Sequence, residues 1–156
     1  MPSMPSDFIL FDAGLFVGAL LRGDPRPAEA YPLVEAARRG ELAVCTTAGI
    51  LSEVYAALTW EKAMPPHSPR RAAQAVRLLV EPPSAIHVLS TGIESALLML
   101  DLVVEHELTA RRTHDARHAA TALTAGVTRV YTYDVTDWHT FAADGLKVIG
   151  PRSVLR

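Results

Sequence analysis

Short apolar runs alternate with longer amphipathic segments along the chain. Five runs are predicted to form β-strands, at residues 8–11, 42–45, 85–89, 127–131 and, more weakly, 146–149. The first run is apolar at all four positions, which is typical of a strand that is buried on both faces of a sheet. Strands of this kind occur in parallel sheets that helices cover on both sides.

The segments between the runs carry apolar residues at helical spacing. The predicted helices cover residues 14–21, 28–39, 47–58, 70–79, 93–106 and 115–125. Thr46 or Thr47 is the expected cap of the third helix. Four apolar residues of the fifth helix are expected to be buried, namely Leu97, Leu98, Leu100 and Val104. The alternation predicts a single α/β domain, a parallel sheet of four to five strands sandwiched by helices, with its core at about residues 7–151.

The composition is that of an ordinary globular domain, with one qualification. Of 156 residues, 49% are hydrophobic and 21% are charged, which suffices for one core and not for two domains. The net charge of −2 lacks the basic surplus that is common in nucleic-acid-binding proteins. Thirteen of the fifteen basic residues are nevertheless arginine, and the guanidinium group suits phosphate contacts. A GC-rich genome would produce the same bias, so both explanations stay open.

Cysteine content and the length of apolar runs indicate the cellular compartment of the protein. Cys45 is the only cysteine, so the chain forms no intramolecular disulfide and has no zinc-finger spacing. Residues 1–6 lack the charged-then-apolar pattern of a signal peptide. No apolar run approaches the roughly 20 residues of a membrane span. These features predict a soluble, cytoplasmic protein without a membrane partner.

Four acidic residues map to one end of the predicted sheet. Asp12 directly follows the first strand, and Asp134 follows the fourth. Glu53 lies early in the third helix, and Asp115 opens the last predicted helix. Ligands of open α/β sheets bind at the carboxyl ends of the strands. Clustered carboxylates repel one another unless a cation neutralises them, and Mg²⁺ prefers oxygen ligands. The sequence therefore predicts a site for Mg²⁺ or Mn²⁺.

Each acid also has an ordinary structural explanation, except one. Asp115 is a suitable helix N-cap, Asp134 suits the first position of a turn, and Glu53 suits a solvated helix face. Asp12 follows four apolar residues with no cap or turn signal around it. Four such coincidences at one end of a sheet are less probable than any single one, which favours a shared metal site.

One stretch of the sequence resembles a known family. Residues 114–122 read HDARHAATA, and after Gly126 residues 130–134 read VYTYD. A helix of the type Asp-Ala-x-x-Ala-Ala-x-Ala, a glycine, a strand and Thr-x-Asp are similar to the PIN domain, in particular to toxin ribonucleases of the VapC type. The residue pairs Phe11-Asp12 and Ser52-Glu53 also agree with the sequence pattern of this family. The resemblance covers residues 7–151.

The resemblance implies an activity, a site and partners. It implies a Mg²⁺- or Mn²⁺-dependent endoribonuclease (a hydrolase), the toxin of a type II toxin–antitoxin pair. The implied catalytic acids are Asp12, Glu53, Asp115 and Asp134. The implied metal-binding residues are Asp12, Asp115, Asp134 and Asp137, the last through a bound water. The implied partners are RNA, a cognate antitoxin that presents an arginine near the acidic groove, and a second copy of the chain. The apolar faces of the helices around residues 51–58 and 72–79 suit a dimer interface, and burial in the core explains them equally well.

Basic and aromatic residues near the acids are candidates for RNA binding. Arg111, Arg112 and Arg117 flank Asp115 and are expected to hold the RNA backbone, with His114 at a phosphate. His114 and His118 are four residues apart, a spacing that also suits zinc, although no HExxH motif surrounds them. Trp60 and Trp138 suit either base stacking or core packing.

One position departs from the family pattern. PIN domains usually carry Ser, Thr or Asn two residues after the first Asp, whereas this chain has Gly14. A missing hydroxyl there affects the orientation of Asp12 or of a water, and Thr132 is a candidate replacement. The alternative function is therefore a catalytically impaired PIN fold that acts as a protein- or RNA-binding module. Gly14 also argues against a phosphatase of the haloacid-dehalogenase type, which needs Asp at that position.

Overall fold

One parallel sheet forms the centre of the molecule. The computed structural model describes residues 7–21, 23–24 and 27–150, with only the backbone of Pro27. Within these residues five strands lie in the order β3-β2-β1-β4-β5. Their bounds are β1 Ile9–Phe11, β2 Val44–Thr47, β3 His87–Leu89, β4 Arg129–Tyr131 and β5 Lys147–Gly150. All four pairings are parallel, and β1, the most apolar run, occupies the middle position with all its side chains buried.

Helices flank the sheet. Their bounds are α1 Ala13–Leu20, α2 Pro27–Arg38, α3 Ala48–Thr59, α4 Pro69–Val80, α5 Ile93–Glu105, α6 Arg112–Thr124 and α7 Val135–Trp138, followed by a 3₁₀ helix at His139–Asp144. Contacts connect α1 with α2 and α3, α3 with α4, and α5 with α6. A further contact between α3 and α6 joins the two groups at the carboxyl edge of the sheet. The single α/β domain predicted from the alternation is confirmed.

Two element boundaries differ from the sequence prediction near the acidic residues. Thr46 and Thr47 belong to β2, and the hydroxyl of Thr47 caps α3 by accepting the backbone N–H of Ile50 at 3.0 Å. α6 begins at Arg112, because turns over the preceding residues start its hydrogen bonding early. The N-cap interpretation of Asp115 is therefore wrong, since this carboxylate lies inside the first turn of α6.

The burial predicted for α5 is wrong at three of four positions. Leu97, Leu100 and Val104 are 55%, 53% and 78% exposed, and Ile93 is 72% exposed. Leu102 is buried instead, because the opposite side of the helix packs on α6. Positions 93, 97, 100 and 104 form one exposed apolar row, which we call the α5 stripe.

The helices that the sequence proposed as a dimer interface contribute mainly to the core. Val54 and Leu58 of α3 and Ala72 and Leu79 of α4 are buried, because these faces pack within the domain. Their apolar spacing is thus explained by the core.

No helix among the described residues is both long and apolar enough to cross a membrane. The expectation that residues 1–6 lack a signal peptide, and the predicted end of the core at residue 151, lie outside the described residues.

Candidate active site

Asp12 is the most buried acid of the site. It directly follows β1 and is 6% exposed. Its Oδ1 accepts the backbone N–H of Ala13 at 2.9 Å, so Asp12 is also the N-cap of α1. Its Oδ2 accepts the hydroxyl of Thr132 at 2.8 Å and the indole N–H of Trp138 at 3.1 Å. Burial raises the pKa of Asp12, and the bonds from Thr132 and Ala13 oppose that rise.

Thr132 connects the acids at the ends of two neighbouring strands. Besides donating to Asp12, its Oγ1 accepts the backbone N–H of Asp134 at 3.0 Å. The hydroxyl that Gly14 lacks is therefore supplied to Asp12 from β4's end. This contact also sets the start of α7, whose N-cap is Asp134.

The short helix α7 brings two more residues to the site. Asp137 is half-buried at the groove, and Trp138 is fully buried. Of the two stacking alternatives, Trp138 is thus a core residue, whose N–H orients Asp12. Trp60 is 56% exposed and lies elsewhere, in an apolar depression with Val17 and Met64.

Asp115 shows that the acids act on one another. Its pKa is raised to about 7, first by burial and then by the charges of Asp12, Asp137 and Asp134. An ordinary aspartate has a pKa near 3.8, so at neutral pH this group is close to half-protonated. Carboxylates from β1, α6 and the β4–α7 segment therefore share one electrostatic site.

Glu53 reaches the same site from α3. Its Oε1 lies 2.9 Å from Nε2 of His118, which is 1% exposed on α6. The side chain of Glu53 is 39% exposed and lines the groove. The structure therefore brings all four predicted catalytic acids to one end of the sheet, at the α3–α6 contact.

A polar groove of about 550 Å³ lies at the site. Its lining combines acidic and basic side chains, namely Glu53, Arg111, Arg112, His114, Asp115, Asp134 and Asp137. Nε of Arg112 lies 3.9 Å from an oxygen of Asp115 and 3.8 Å from one of Asp137. Its guanidinium thus partly offsets the negative charge of the groove.

The four candidates for RNA binding have different positions. Arg111 and His114 are exposed at the groove. Arg112 is anchored, because its Nη2 donates to the carbonyl of Asp137 at 3.1 Å and to the hydroxyl of Thr140 at 3.0 Å. Arg117 is not among the residues that line this groove, and its guanidinium lies over Gly49 at the start of α3.

The zinc alternative for the two histidines of α6 has no support. Both ring nitrogens of His118 have partners, Thr47 Oγ1 at 3.2 Å and Glu53 Oε1 at 2.9 Å. His114 is exposed and does not share a ligand cluster with it. The spacing of four residues places both histidines near the same face of α6, but His118 is buried and His114 is exposed.

A model of the PIN domain matches residues 9–139, which is most of the chain. The chain belongs to the PIN domain family. The matched region contains all the acids of the groove. Among curated protein sequences none matches the chain.

Solved structures share this PIN fold at low sequence identity. VapC20 of Mycobacterium tuberculosis, described as a toxin that cleaves the sarcin–ricin loop, has 20% identity and a TM-score of 0.68, over 92% of this chain and 99% of that one. A toxin–antitoxin complex from Klebsiella pneumoniae has 21% identity and a TM-score of 0.60, over 92% and 97%. VapBC2 of Rickettsia felis, bound to a promoter DNA fragment, has 12% identity and a TM-score of 0.63, over 91% and 97%.

The acids of this PIN domain fit a hard divalent cation. The donor set consists of carboxylate oxygens, which Mg²⁺ and Mn²⁺ prefer. Oδ2 of Asp12 already accepts two hydrogen bonds, whereas Oδ1 accepts one and keeps a lone pair for a ligand. Burial raises the pKa of Asp115, and the charges of Asp12, Asp137 and Asp134 raise it further, so a bound cation would stabilise the ionised form. Among the described residues, three ligand atoms come within 4.8 Å of one another only at Glu105, His106 and Asp144, so the acids of the groove are further apart than this when no ion is bound.

Sequence reasoning missed two contributors to the PIN site. Trp138 was considered only for stacking or packing, and His118 only for zinc. Both lie far from their acids in sequence, 126 residues from Asp12 and 65 from Glu53. The sequence around each ring carries no signal that identifies its distant partner.

Proposed function

We propose that the chain is a Mg²⁺- or Mn²⁺-dependent endoribonuclease, the toxin of a toxin–antitoxin pair. The observation that carries this proposal is the gathering of Asp115, Asp134 and Asp137 in one groove, with the buried Asp12 at the same end of the sheet. Burial, and then the charges of Asp12, Asp137 and Asp134, raise the pKa of Asp115 to about 7. A fold has no structural need for four mutually repelling carboxylates in one groove. The likeness of the fold to VapC20 and to toxin–antitoxin complexes supports the substrate class and the toxin role.

The proposed roles follow from exposure and hydrogen bonding. A bound divalent cation would activate water and stabilise charge on the phosphoryl oxygens. Asp12 would hold it through Oδ1, with Asp134 and Asp115 as further ligands and Asp137 acting through a water. Glu53, at the other wall of the groove, would orient the attacking water. Arg111 and His114 at the rim would contact backbone phosphates, while the anchored Arg112 would lower the charge of the groove.

Metal-dependent cleavage tests this proposal. We expect purified protein to cleave a structured RNA in Mg²⁺ or Mn²⁺ and to lose activity in EDTA, with full recovery when the metal is restored. The measurement is gel analysis of end-labelled RNA over time. Cleavage that persists in EDTA, or a complete lack of cleavage across a panel of cellular RNAs, would contradict the proposal.

The alternative function, an impaired PIN fold that only binds protein or RNA, rests on Gly14. Thr132 and Trp138 weaken that alternative, because together they hold Asp12 Oδ2 in a fixed orientation. The hydroxyl absent from position 14 is therefore not needed to orient the carboxylate. A binding module also gains nothing from the repulsion among the acids.

An antitoxin is the proposed protein partner. Structures with the same fold include a toxin–antitoxin complex from Klebsiella pneumoniae and VapBC-1 from nontypeable Haemophilus influenzae, and the first of these supports this assignment. The acidic groove suits an inserted arginine, since a guanidinium placed there would compete with the cation for the same oxygens.

The proposed homodimer would use the α5 stripe. Its 4-3-4 spacing pairs with an antiparallel copy of itself, with Ile93 opposite Val104 and Leu97 opposite Leu100. Such a row of exposed aliphatic side chains is unusual for the surface of a monomer.

A charge in this stripe is expected to separate the dimer. Leu97→Glu would bury two carboxylates at the two-fold axis, so we expect a monomer of 16.9 kDa in light scattering after gel filtration. Leu78→Glu is the matched control, because Leu78 is 60% exposed on α4, outside the stripe. Wild-type protein that is monomeric at tens of micromolar, or equal effects of both variants, would rule this interface out.

A further inference from the structure

His118 is a buried polar residue whose position no part of the proposed metal chemistry explains. It lies on α6, three residues after Asp115, and is 1% exposed. Nδ1 lies 3.2 Å from Thr47 Oγ1, and Nε2 lies 2.9 Å from Glu53 Oε1. The ring therefore bridges Thr47, the last residue of β2 and the N-cap of α3, to the Glu53 carboxylate at the groove.

The hydrogen bonds around His118 are consistent with one arrangement of donors and acceptors. Thr47 Oγ1 accepts the backbone N–H of Ile50, and its own hydrogen can donate to Nδ1. In this arrangement Nδ1 is an acceptor and the hydrogen of the imidazole is on Nε2. Nε2–H then donates to Oε1 of Glu53. Each donor and acceptor in this series of hydrogen bonds then has a partner. The donors point from Thr47, the N-cap of α3, toward Glu53.

This arrangement has a consequence for Glu53. A glutamate at a groove is normally mobile, because three side-chain torsions are free to change. Here Oε1 is held by a ring that the core itself holds in place, and Oε2 remains for a ligand in the groove. The carboxylate is therefore preorganised, in the way that buried second-layer hydrogen bonds orient the ligands of metal sites.

Gly49 shows that the surrounding chain accommodates this ring. A Cβ atom at position 49 would lie 2.8 Å from Cε1 of His118 and would also collide with the guanidinium of Arg117. The arginine is flexible, whereas the imidazole is enclosed and hydrogen-bonded on both sides. Thr47 at the N-cap of α3 and Glu53 within α3 thus provide the two hydrogen-bonding partners of the ring, and Gly49 between them leaves the space that the ring occupies.

We infer that His118 is a positioning residue of the nuclease, which fixes the Glu53 carboxylate toward the reacting groove. The inference rests on the proposed function, because a positioned acid matters only where the groove performs chemistry. A histidine that merely fills the core would need no partner with 39% of its side chain exposed.

Two variants of His118 test the inference. His118→Leu replaces the ring with an apolar side chain of similar size and removes both hydrogen bonds. We therefore expect kcat for RNA cleavage to fall about 10- to 100-fold with KM nearly unchanged. His118→Gln retains a side-chain N–H that reaches Glu53, and it is expected to restore most of kcat. His87→Leu, at an exposed histidine of β3, is the matched control and is expected to be neutral.

A measurement without activity separates this inference from the proposed function. In metal-free protein, long-range ¹H–¹⁵N NMR is expected to show His118 with its hydrogen on Nε2, and Glu53→Gln is expected to shift that resonance. His118→Leu with wild-type kcat, equal losses in the Leu and Gln variants, or a hydrogen on Nδ1 would overturn the role of His118. A wild-type protein with the expected NMR signature that cleaves no RNA would overturn the proposed function instead.

Discussion

Asp12→Asn is expected to reduce metal-dependent RNA cleavage by about a thousandfold or more. The substitution keeps the size of the side chain and removes the charge at the most buried point of the site. An asparagine must also turn its NH₂ group either toward the donors Thr132 and Trp138 or toward the N–H of Ala13. The side chain therefore loses a hydrogen bond as well as its affinity for a cation, while the surrounding apolar core is unchanged.

The effect of Asp12→Asn is measured as the initial rate of RNA cleavage at saturating Mn²⁺. Asp101→Asn serves as the matched control, because Asp101 is exposed on α5 and outside the groove. Circular dichroism should give the same spectrum for all three proteins. More than a tenth of the wild-type rate in Asp12→Asn would remove this residue from the chemistry.

Asp115→Asn is expected to stabilise the metal-free protein, and more so at higher pH. The folded-state pKa of Asp115 is about 7, against an ordinary aspartate value of 3.8. A raised carboxyl pKa means that the folded state binds the proton more tightly, so the group costs nothing below pH 3.8. Its cost then grows as the pH rises toward 7 and is constant above that. Asparagine removes this cost. Within that interval the cost grows by at most about 1.4 kcal/mol for each pH unit.

The difference in unfolding free energy between Asp115→Asn and wild type, measured in EDTA by urea denaturation, tests this. We expect the advantage of the variant to increase by about 1–2 kcal/mol between pH 5 and pH 8. Titrating groups that are remote from Asp115 affect both proteins equally and cancel in the difference, so the remaining pH dependence comes from Asp115 and the acids whose charges act on it. An advantage that is absent, or that shrinks as the pH rises, would show that the neighbouring acids do not act on Asp115.

The sequence was sufficient for the architecture because the relevant signals are local. The apolar run of β1 and the glycine ends of the helices depend on residues close together in the chain. Asp12 and Asp134 follow their strands directly, so the rule that ligands bind at the carboxyl ends of strands located both. Thr47 as a cap and the weak fifth strand were also readable locally.

The errors and omissions concern information that is not local. Apolar spacing in α5 indicated a buried face, but spacing does not tell whether the core or another chain covers that face, and Leu97 and Val104 are exposed. The role of Asp12 as an N-cap was missed, because it depends on α1 beginning at Ala13, one residue earlier than the sequence predicts. The bonds of Trp138 to Asp12 and of His118 to Glu53 depend on how distant elements pack, which no pattern within one helix encodes.

Calorimetric titration of Mn²⁺ into the metal-free protein tests most directly whether the gathered carboxylates are a metal site. For the wild-type chain we predict saturable binding that is accompanied by proton release near pH 7, since Asp115 must lose its proton to bind the ion. For Asp12→Asn we predict that this binding is lost or weakened by at least an order of magnitude. Identical isotherms for the two proteins, or no binding to the wild type, would contradict the metal site.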